Sequence, residues 1–381
     1  MDASGVTVFG SGFTPDGRYL ACSDNFGQVG IWNMEYYLFQ NSNWVHDNET
    51  KTEALETIST NSNLGAGVEK DFLLKAHKTP IYSIAVTENF LITGADEEIK
   101  GWKTPWMNQG STSSNAKSDV DGGGNAVGKC LFELKTPQLE GLRGSLSPWA
   151  ETNGIAVDEV TNTKYVFSAA GDGNAYCWDL ETQKVLTTFS GHSDYLHCIS
   201  LICQNGLIAT GSEDGTCKLW DRRAKQNCVA TLELDESPGR EKVVTCTAAD
   251  SEGNWLSFGG QDSKGFGRFR VIHVASRSLI QTSQTERHMS CVQTLDYSEG
   301  SGGETNLVCG GDSFDIEHWD KIGKKRIAKI RSSSPSNFTL CHSPKEKTNV
   351  MVAGGTSPFI DVSTVATRTH MFSFYFDFGL R

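Results

Sequence analysis

Tryptophan closes a short β-like run five times along the chain, at Trp32, Trp102, Trp178, Trp220 and Trp319. Where the intervening loops are short, a Gly-His or Ala-His opening and the Trp ending recur at roughly 40 to 45 residues. Each interval holds short runs of β-branched and aromatic residues bounded by Gly, Asp, Asn or Ser. Even spacing of such runs predicts a sandwich, a barrel or a propeller. A fixed period of this length selects the propeller, because each period is one small sheet that buries its faces against its neighbours. Two further units, NWLSFGGQDSKGFGRFRVI (254–272) and VMVAGGTSPFIDV (350–362), lack the Trp and keep the strand pattern. The seven units place third strands near 28–33, 98–102, 174–179, 216–221, 266–272, 315–320 and 358–362. The expectation is an all-β, seven-bladed β-propeller occupying 1–381 as a single domain. The first outer strand is expected in DFLLKA (71–76) and the last in HMFSFYF. The chain thus begins with an inner strand and ends with an outer one, so the ring can close without one terminus lending a strand to the other end.

Two insertions break the rhythm. Residues 34–70 are polar with a few apolar anchors, and residues 103–129 include the low-complexity run NQGSTSSNAKSDVDGGGNAVG. Both are expected to be disordered loops, and both follow a third strand, so both leave from the same edge of the disc. The net charge of −12 argues against a surface that coats nucleic acid. No apolar run reaches the length of a membrane span, and the first residues, MDASGVTVFGSGFTPDG, lack a signal-peptide pattern. The eleven cysteines are scattered through apolar segments with no C-x-x-C pair, which suits reduced, buried thiols in the cytosol or nucleus.

The best-formed unit is Gly191–Asp221, GHSDYLHCISLICQNGLIATGSEDGTCKLWD. His192 falls in the loop before an inner strand, Thr210 near the end of the second strand, Asp214 in the turn and Trp220 in the third strand. These residue types could form a catalytic relay or a structural lock. Catalysis would need an exposed hydroxyl beside an oxyanion site, and a threonine in mid-blade does not offer one. The stretch resembles a WD repeat. In that family the residues equivalent to Asp214, His192, Thr210 and Trp220 form a hydrogen-bonded chain, which implies the structural lock. The second unit keeps His77, Thr93 and Trp102, with Asp96 one residue early and Glu97 in the expected acidic position. The third has Ser168, Asp172 and Trp178 without a Gly-His, and the fifth and seventh have neither His nor Trp in register.

A narrower resemblance lies in RGSLSPWAETNGIAVD (143–158) followed by VFSAAGDGNAYCWDLETQKVLTTFSGHSDYLHCI (166–199). Together with FTPDGRYLACSDNFGQVGIWN, LLKAHKTPIYSIAV and LITGADEEIKGWK, these segments are similar to the subunit-six family of the THO complex. The likeness is strongest over about 71–235 and weakens in blades five to seven. It implies a nuclear, non-enzymatic scaffold without cofactor, with a cytoplasmic pool left open. Its partners would be other THO subunits, above all the elongated coiled-coil members. With an export adaptor and a helicase, that assembly forms TREX, which couples transcription to mRNA processing and export.

Trp220-Asp221-Arg222-Arg223 supports a second reading. Trp-Asp-x-Arg matches the box of cullin-4 ubiquitin-ligase substrate receptors, in which Trp220, Asp221 and Arg223 would meet the adaptor and the guanidinium would make paired bonds. The basic run KIGKKRIAKIR (321–331) could touch RNA, but it coincides with an expected outer strand, where cations block sheet-to-sheet pairing. Any RNA contact is therefore expected to be indirect or minor. GGQDSKGFG lacks the Gly-Lys-Ser/Thr ending of a phosphate loop. No G-x-S-x-G elbow, H-E-x-x-H helix or metal-spaced histidine pair occurs, so neither an enzyme nor a metal site is expected.

Overall fold

The structure, a computed structural model, describes residues 5–38, 72–103, 128–138, 145–158, 164–202, 206–224, 228–237, 241–286, 288–299, 304–344 and 349–376. They form a seven-bladed β-propeller in which each blade is a four-stranded antiparallel meander. Blade 1 contains β1 (Val8–Phe13), β2 (Tyr19–Asp24), β3 (Gln28–Asn33) and β4 (Phe72–Lys75), and blade 2 contains β5 (Ile81–Val86), β6 (Phe90–Ala95), β7 (Glu98–Lys103) and β8 (Cys130–Lys135). Blade 3 contains β9 (Thr152–Val157), β10 (Tyr165–Ala170), β11 (Asn174–Asp179) and β12 (Lys184–Ser190), and blade 4 contains β13 (Leu196–Ile202), β14 (Leu207–Ser212), β15 (Thr216–Asp221) and β16 (Cys228–Glu233). Blade 5 contains β17 (Val243–Ala249), β18 (Trp255–Gln261), β19 (Gly267–His273) and β20 (Ser278–Gln284). Blade 6 contains β21 (Val292–Glu299), β22 (Thr305–Gly311), β23 (Ser313–Asp320) and β24 (Arg326–Arg331), and blade 7 contains β25 (Asn337–His342), β26 (Val350–Gly355), β27 (Ser357–Thr364) and β28 (His370–Tyr375).

Burial explains why the residue pattern differs between strands of one blade. Second strands such as LIATGS (β14) and VMVAGG (β26) are buried at every position, because neighbouring blades cover both faces. Outer strands such as KVLTTFS (β12) alternate between exposed and covered residues, because solvent meets one face. The apolar side chains gather into seven clusters, one at each seam between consecutive blades. The blade is therefore the covalent unit and the seam is the packing unit.

Antiparallel alternation gives the disc two distinct faces. The loops between blades and the turns between second and third strands share one face, called here the latch face. The connections β3–β4 and β7–β8, which hold the two insertions, leave from the other. Residues 34–38, assigned to the first insertion on sequence grounds, instead form a short helix that buries Met34 and Tyr37. Apolar residues one turn apart dock that helix on the blade 7–blade 1 seam. The rest of the first insertion, and 104–127 of the second, lie outside the described residues, as does their expected disorder.

The ring closes between two complete blades. Trp32 is fully buried, its ring stacked on Phe374 at 5.1 Å and edge-on to Phe376 at 5.7 Å. Ser11 Oγ and Thr339 Oγ1 join the inner strands across the same seam at 2.7 Å. Six outer strands share a further feature, an extra residue opposite the third strand: Leu131, Leu186, Val229, Ile280, Ile327 and Met371. Such bulges twist the strand edge away from pairing with other sheets.

Replacing Trp32 with Ala should cost about 3–5 kcal/mol of stability, the usual range for emptying a large aromatic site. Urea unfolding followed by circular dichroism measures it, and a loss below about 1 kcal/mol would mean that this ring does not hold the closure.

Candidate functional site

The stretch Gly191–Asp221 builds its polar chain from two strands, a loop and a turn. The loop leaving β12 delivers His192, β14 delivers Thr210, the turn after it delivers Asp214, and β15 delivers Trp220. His192 Nδ1 lies 2.7 Å from Asp214 Oδ2 and its Nε2 lies 2.8 Å from Thr210 Oγ1. Trp220 Nε1 donates to the same hydroxyl at 2.8 Å. Only one direction of donation satisfies every group: indole N–H to Thr210, Thr210 O–H to Nε2, and Nδ1–H to the carboxylate. The His192 side chain is fully covered and Thr210 is 0% exposed. A hydroxyl so placed, with an indole and an imidazole already on it, has no route to a substrate. Burial raises the Asp214 pKa, but hydrogen bonds from His192, Thr216 and Ser193 outweigh it and hold the carboxyl well below the usual range.

The geometry also shows what this chain joins. His192 belongs to the loop that leaves blade 3, and its partners belong to blade 4. It is a latch across a seam. Register locates the same position, two residues past the pairing end of each outer strand, in other blades: His77, Pro137, Asp235, Glu286 and Ser333.

At the blade 1–blade 2 seam His77 Nε2 meets Thr93 Oγ1 at 2.7 Å, and Trp102 Nε1 donates to that hydroxyl at 3.0 Å. The acid is neither Asp96 nor Glu97 but Glu98, whose Oε1 lies 3.2 Å from His77 Nδ1. Here the turn has two residues where blade 4 has three. Glu97 takes the left-handed angle (φ 69°) that Gly215 (φ 78°) takes in blade 4, and the longer Glu98 side chain reaches back from the strand. Burial, reinforced by the Lys100 charge, lowers the His77 pKa to about 4 against the pull of Glu98.

Other seams replace the chemistry. Asp235 accepts Ser263 Oγ at 2.5 Å and Arg268 Nη1 at 3.3 Å, while Arg268 Nη2 lies 2.8 Å from Asp262. In blade 6 the buried Glu317 accepts Trp319 Nε1 at 3.1 Å and the Glu286 backbone N–H at 3.2 Å, with Arg326 Nη1 at 3.2 Å. Blade 7 uses Asp361, which accepts Ser332 Oγ at 2.9 Å and Ser333 N–H at 2.6 Å. Among the described residues blade 3 keeps only Trp178 Nε1 to Ser168 Oγ at 2.9 Å, because Pro137 brings no donor and Asp172 turns to Tyr176 and Asn174. Spacing from Trp and Gly-His misses Asp235, Arg268, Glu286, Glu317 and Asp361. Strand register finds Asp235 and Glu286, and their contacts lead to Arg268 and Glu317.

Outside the latches, Arg223 Nε and Nη2 both bind Asp221, each at 2.8 Å, and Trp220 is only 2% exposed. Arg222 reaches the buried Asp158 of blade 3. In the basic run Lys321, Arg326 and Lys329 are ion-paired to carboxylates, and the Arg331 guanidinium lies 5.0 Å over the Phe314 ring. Glu286, His288 and Asp315 bring ligand-type atoms within 4.8 Å of one another. Arg326 and Lys329 sit on those carboxylates, so side-chain cations already compensate the charge a metal would meet.

The WD domain, G-beta repeat family matches residues 183–221. The chain is 36% identical over 299 residues to THO complex subunit 6 of Arabidopsis thaliana, covering 77% of this chain and 74% of that protein. It is 25% identical over 366 residues to the THO complex subunit 6 homolog of Danio rerio, covering 94% of both. Against THO complex subunit 6 of Homo sapiens it is 25% identical over 367 residues, covering 94% of this chain and 90% of that protein.

Two consequences can be measured. Thr210→Val strands both His192 Nε2 and Trp220 Nε1, whereas Ser168→Ala strands only Trp178 Nε1. At about 1–3 kcal/mol for each orphaned buried group, the Thr210 variant should lose clearly more stability in urea titrations. Equal losses would mean that the imidazole bond adds nothing. The second consequence concerns pH. The folded His77 value of about 4 lies below its ordinary 6.5, so the unfolded chain takes up the proton first. Its contribution is full above about 6.5 and is lost as pH falls toward 4. Over that window His77→Gln should flatten the pH dependence of the urea midpoint, and an unchanged slope would refute the assignment.

Proposed function

The chain belongs to the THO complex subunit 6 family, and from that membership we propose that it is the propeller subunit of a nuclear THO-like complex. It acts as a single propeller domain that holds neighbouring subunits, the elongated coiled-coil members foremost, within an assembly coupling transcription to mRNA processing and export. The observation that carries this reading is the 36% identity to the Arabidopsis thaliana subunit across three quarters of both proteins. A WD-repeat propeller with such relatives points to a non-catalytic protein. The geometry is consistent with that role, since the most reactive-looking constellation, His192, Thr210, Asp214 and Trp220, is closed over and takes a structural part. The ligase reading gains no support from the geometry, in which Arg223 is exposed and bonds Asp221 two residues before it.

Affinity purification of the tagged chain from nuclear extract should recover THO subunits, and Arg223→Ala should recover them equally. Recovery of a cullin-4 adaptor without THO subunits, abolished in the Arg223 variant, would overturn the proposal.

A further inference from the structure

One row of residues crosses every seam beside the face opposite the latches. At the seam between blades 6 and 7 that row is charged, and at the other seams it is not. Asp296, Val308 and His318 lie side by side across β21, β22 and β23, so their side chains share one face of blade 6. That face meets blade 7, whose inner strand β25 packs on it and ends at His342. Register aligns His318 with Ile31, Gly101, Cys177, Leu219, Val271 and Val362 of the other blades. It aligns His342 with Phe13, Val86, Val157, Leu201, Ala249 and Tyr297. Asp296 stands where other blades carry small residues, among them Gly12, Ala85, Ala156 and Ala248. Two imidazoles and a carboxylate thus occupy positions that packing elsewhere fills with uncharged groups.

These groups are tied on one side and open on the other. His342 Nδ1 lies 2.5 Å from Asp296 Oδ2. His342 Nε2 has no partner among the described residues, and neither has Nε2 of His318, which is only 2% exposed. The third group is Arg368, in the turn between β27 and β28. It takes the left-handed angle (φ 57°) that Gln183 and Arg277 (φ 54° each) take in the same turns of blades 3 and 5. Those two residues are exposed, whereas Arg368 is half-buried with its Nε covered and unpartnered among the described residues. Burial lowers the His318 pKa to about 4, and the charges of His342 and Arg368 push the same way, so both groups act on its ring. The remaining charges nearby are engaged. Asp320 accepts the Lys324 and Lys325 N–H groups, Asp361 accepts the Ser332, Ser333 and Ser373 hydroxyls, and His370 meets Ser373.

We propose that this part of the seam binds a tetrahedral oxyanion, a phosphate group above all, with Arg368, His318 and His342 as its donors. A guanidinium stays charged at every working pH, and its paired N–H groups suit phosphate oxygens. The same fixed charge repels a metal ion from the two imidazoles. Asp296 takes the Nδ1 proton of His342, so Nε2 donates only when that ring holds a second proton. Anion binding therefore draws a proton into the site, and affinity rises as pH falls. Asp296, with its side chain 31% exposed, and the half-buried Arg368 leave the site open to solvent. It lies apart from the central channel, whose lining includes none of these residues. The inference goes beyond the scaffold reading and does not depend on it.

The test uses the full chain and isothermal titration calorimetry with sodium sulfate, an oxyanion with no proton of its own near neutral pH, at ionic strength held constant with chloride. Sulfate should bind with a dissociation constant of roughly 1 mM or below. Affinity should rise by up to about tenfold per unit fall in pH, and heats in two buffers of different ionisation enthalpy should differ by the proton taken up. Arg368→Gln, matching Gln183 of blade 3, and His318→Leu, matching Leu219 of blade 4, should each weaken binding roughly tenfold or more. Urea unfolding checks that both variants are folded. Inorganic phosphate should compete with sulfate. Competition by a phosphoserine peptide, but not by its unphosphorylated form, assigns the site to a modified partner segment, and competition by inorganic phosphate alone assigns it to a free ion. Absence of sulfate binding, equal binding by the folded Arg368 variant, or heats independent of buffer would each overturn the inference, as would zinc binding that is lost in His318→Leu. Recovery of THO subunits is independent of all these outcomes.

Discussion

A four-stranded blade has two faces to bury and no layer of its own to cover them. That constraint governs the rest of this molecule. Each face finds cover only on the next blade, and seven apolar clusters at seven seams are the result. The seam also explains the composition of the strands. Second strands lie between two neighbours and are mostly apolar or small, as in β14, whereas outer strands such as β16 tolerate Glu and Thr. Glycine enters where backbones of adjacent strands approach closely. A Cβ on Gly355 would sit 1.6 Å from the Ser336 carbonyl oxygen, and one on Gly260 would sit 1.9 Å from that of Val243.

Apolar contact alone does not set the angle between blades, and the latches supply direction. The position just past five of the outer strands ties the exit loop to the following blade, and the chemistry of the tie varies. Imidazole does it at two seams, carboxylate with arginine at a third, a backbone N–H on a buried glutamate at a fourth, and serines on a buried aspartate at a fifth. These solutions satisfy a buried polar group on both sides of the seam, which is the condition for such a group to stabilise rather than cost. The closing seam differs. Among the described residues Trp32 Nε1 has no hydrogen-bond partner there, and Phe374 and Phe376 enclose its ring. A propeller built this way is held at its seams by directed polar ties as well as by apolar packing.

Much of the architecture is legible in the residue string. The Trp-to-Trp interval and the Gly-rich punctuation place the third strands of all seven blades within a residue or two of β3, β7, β11, β15, β19, β23 and β27, because strand length and turn chemistry are local properties. His192, Thr210, Asp214 and Trp220 are legible for the same reason. They sit within one short unit whose loops have standard length, and the structure brings all four together. The THO likeness is equally a property of the string, since it rests on contiguous motifs.

Tertiary structure alone decides the remainder. Glu98 displaces Asp96 and Glu97 because the turn is one residue shorter, and only the three-dimensional path of the turn shows which carboxylate reaches His77. Asp235 finds Ser263 and Arg268 at separations of 28 and 33 residues, in a different blade and with different functional groups, so no motif spacing announces it. The helix at 34–38 opens an insertion that is mostly polar in sequence, and its Met34 and Tyr37 become structural because the closing seam offers them an apolar surface. The division is physical. Local sequence determines where a strand begins and ends, whereas the identity of a buried partner depends on which strand of the next blade lies opposite, and that is settled when the ring closes.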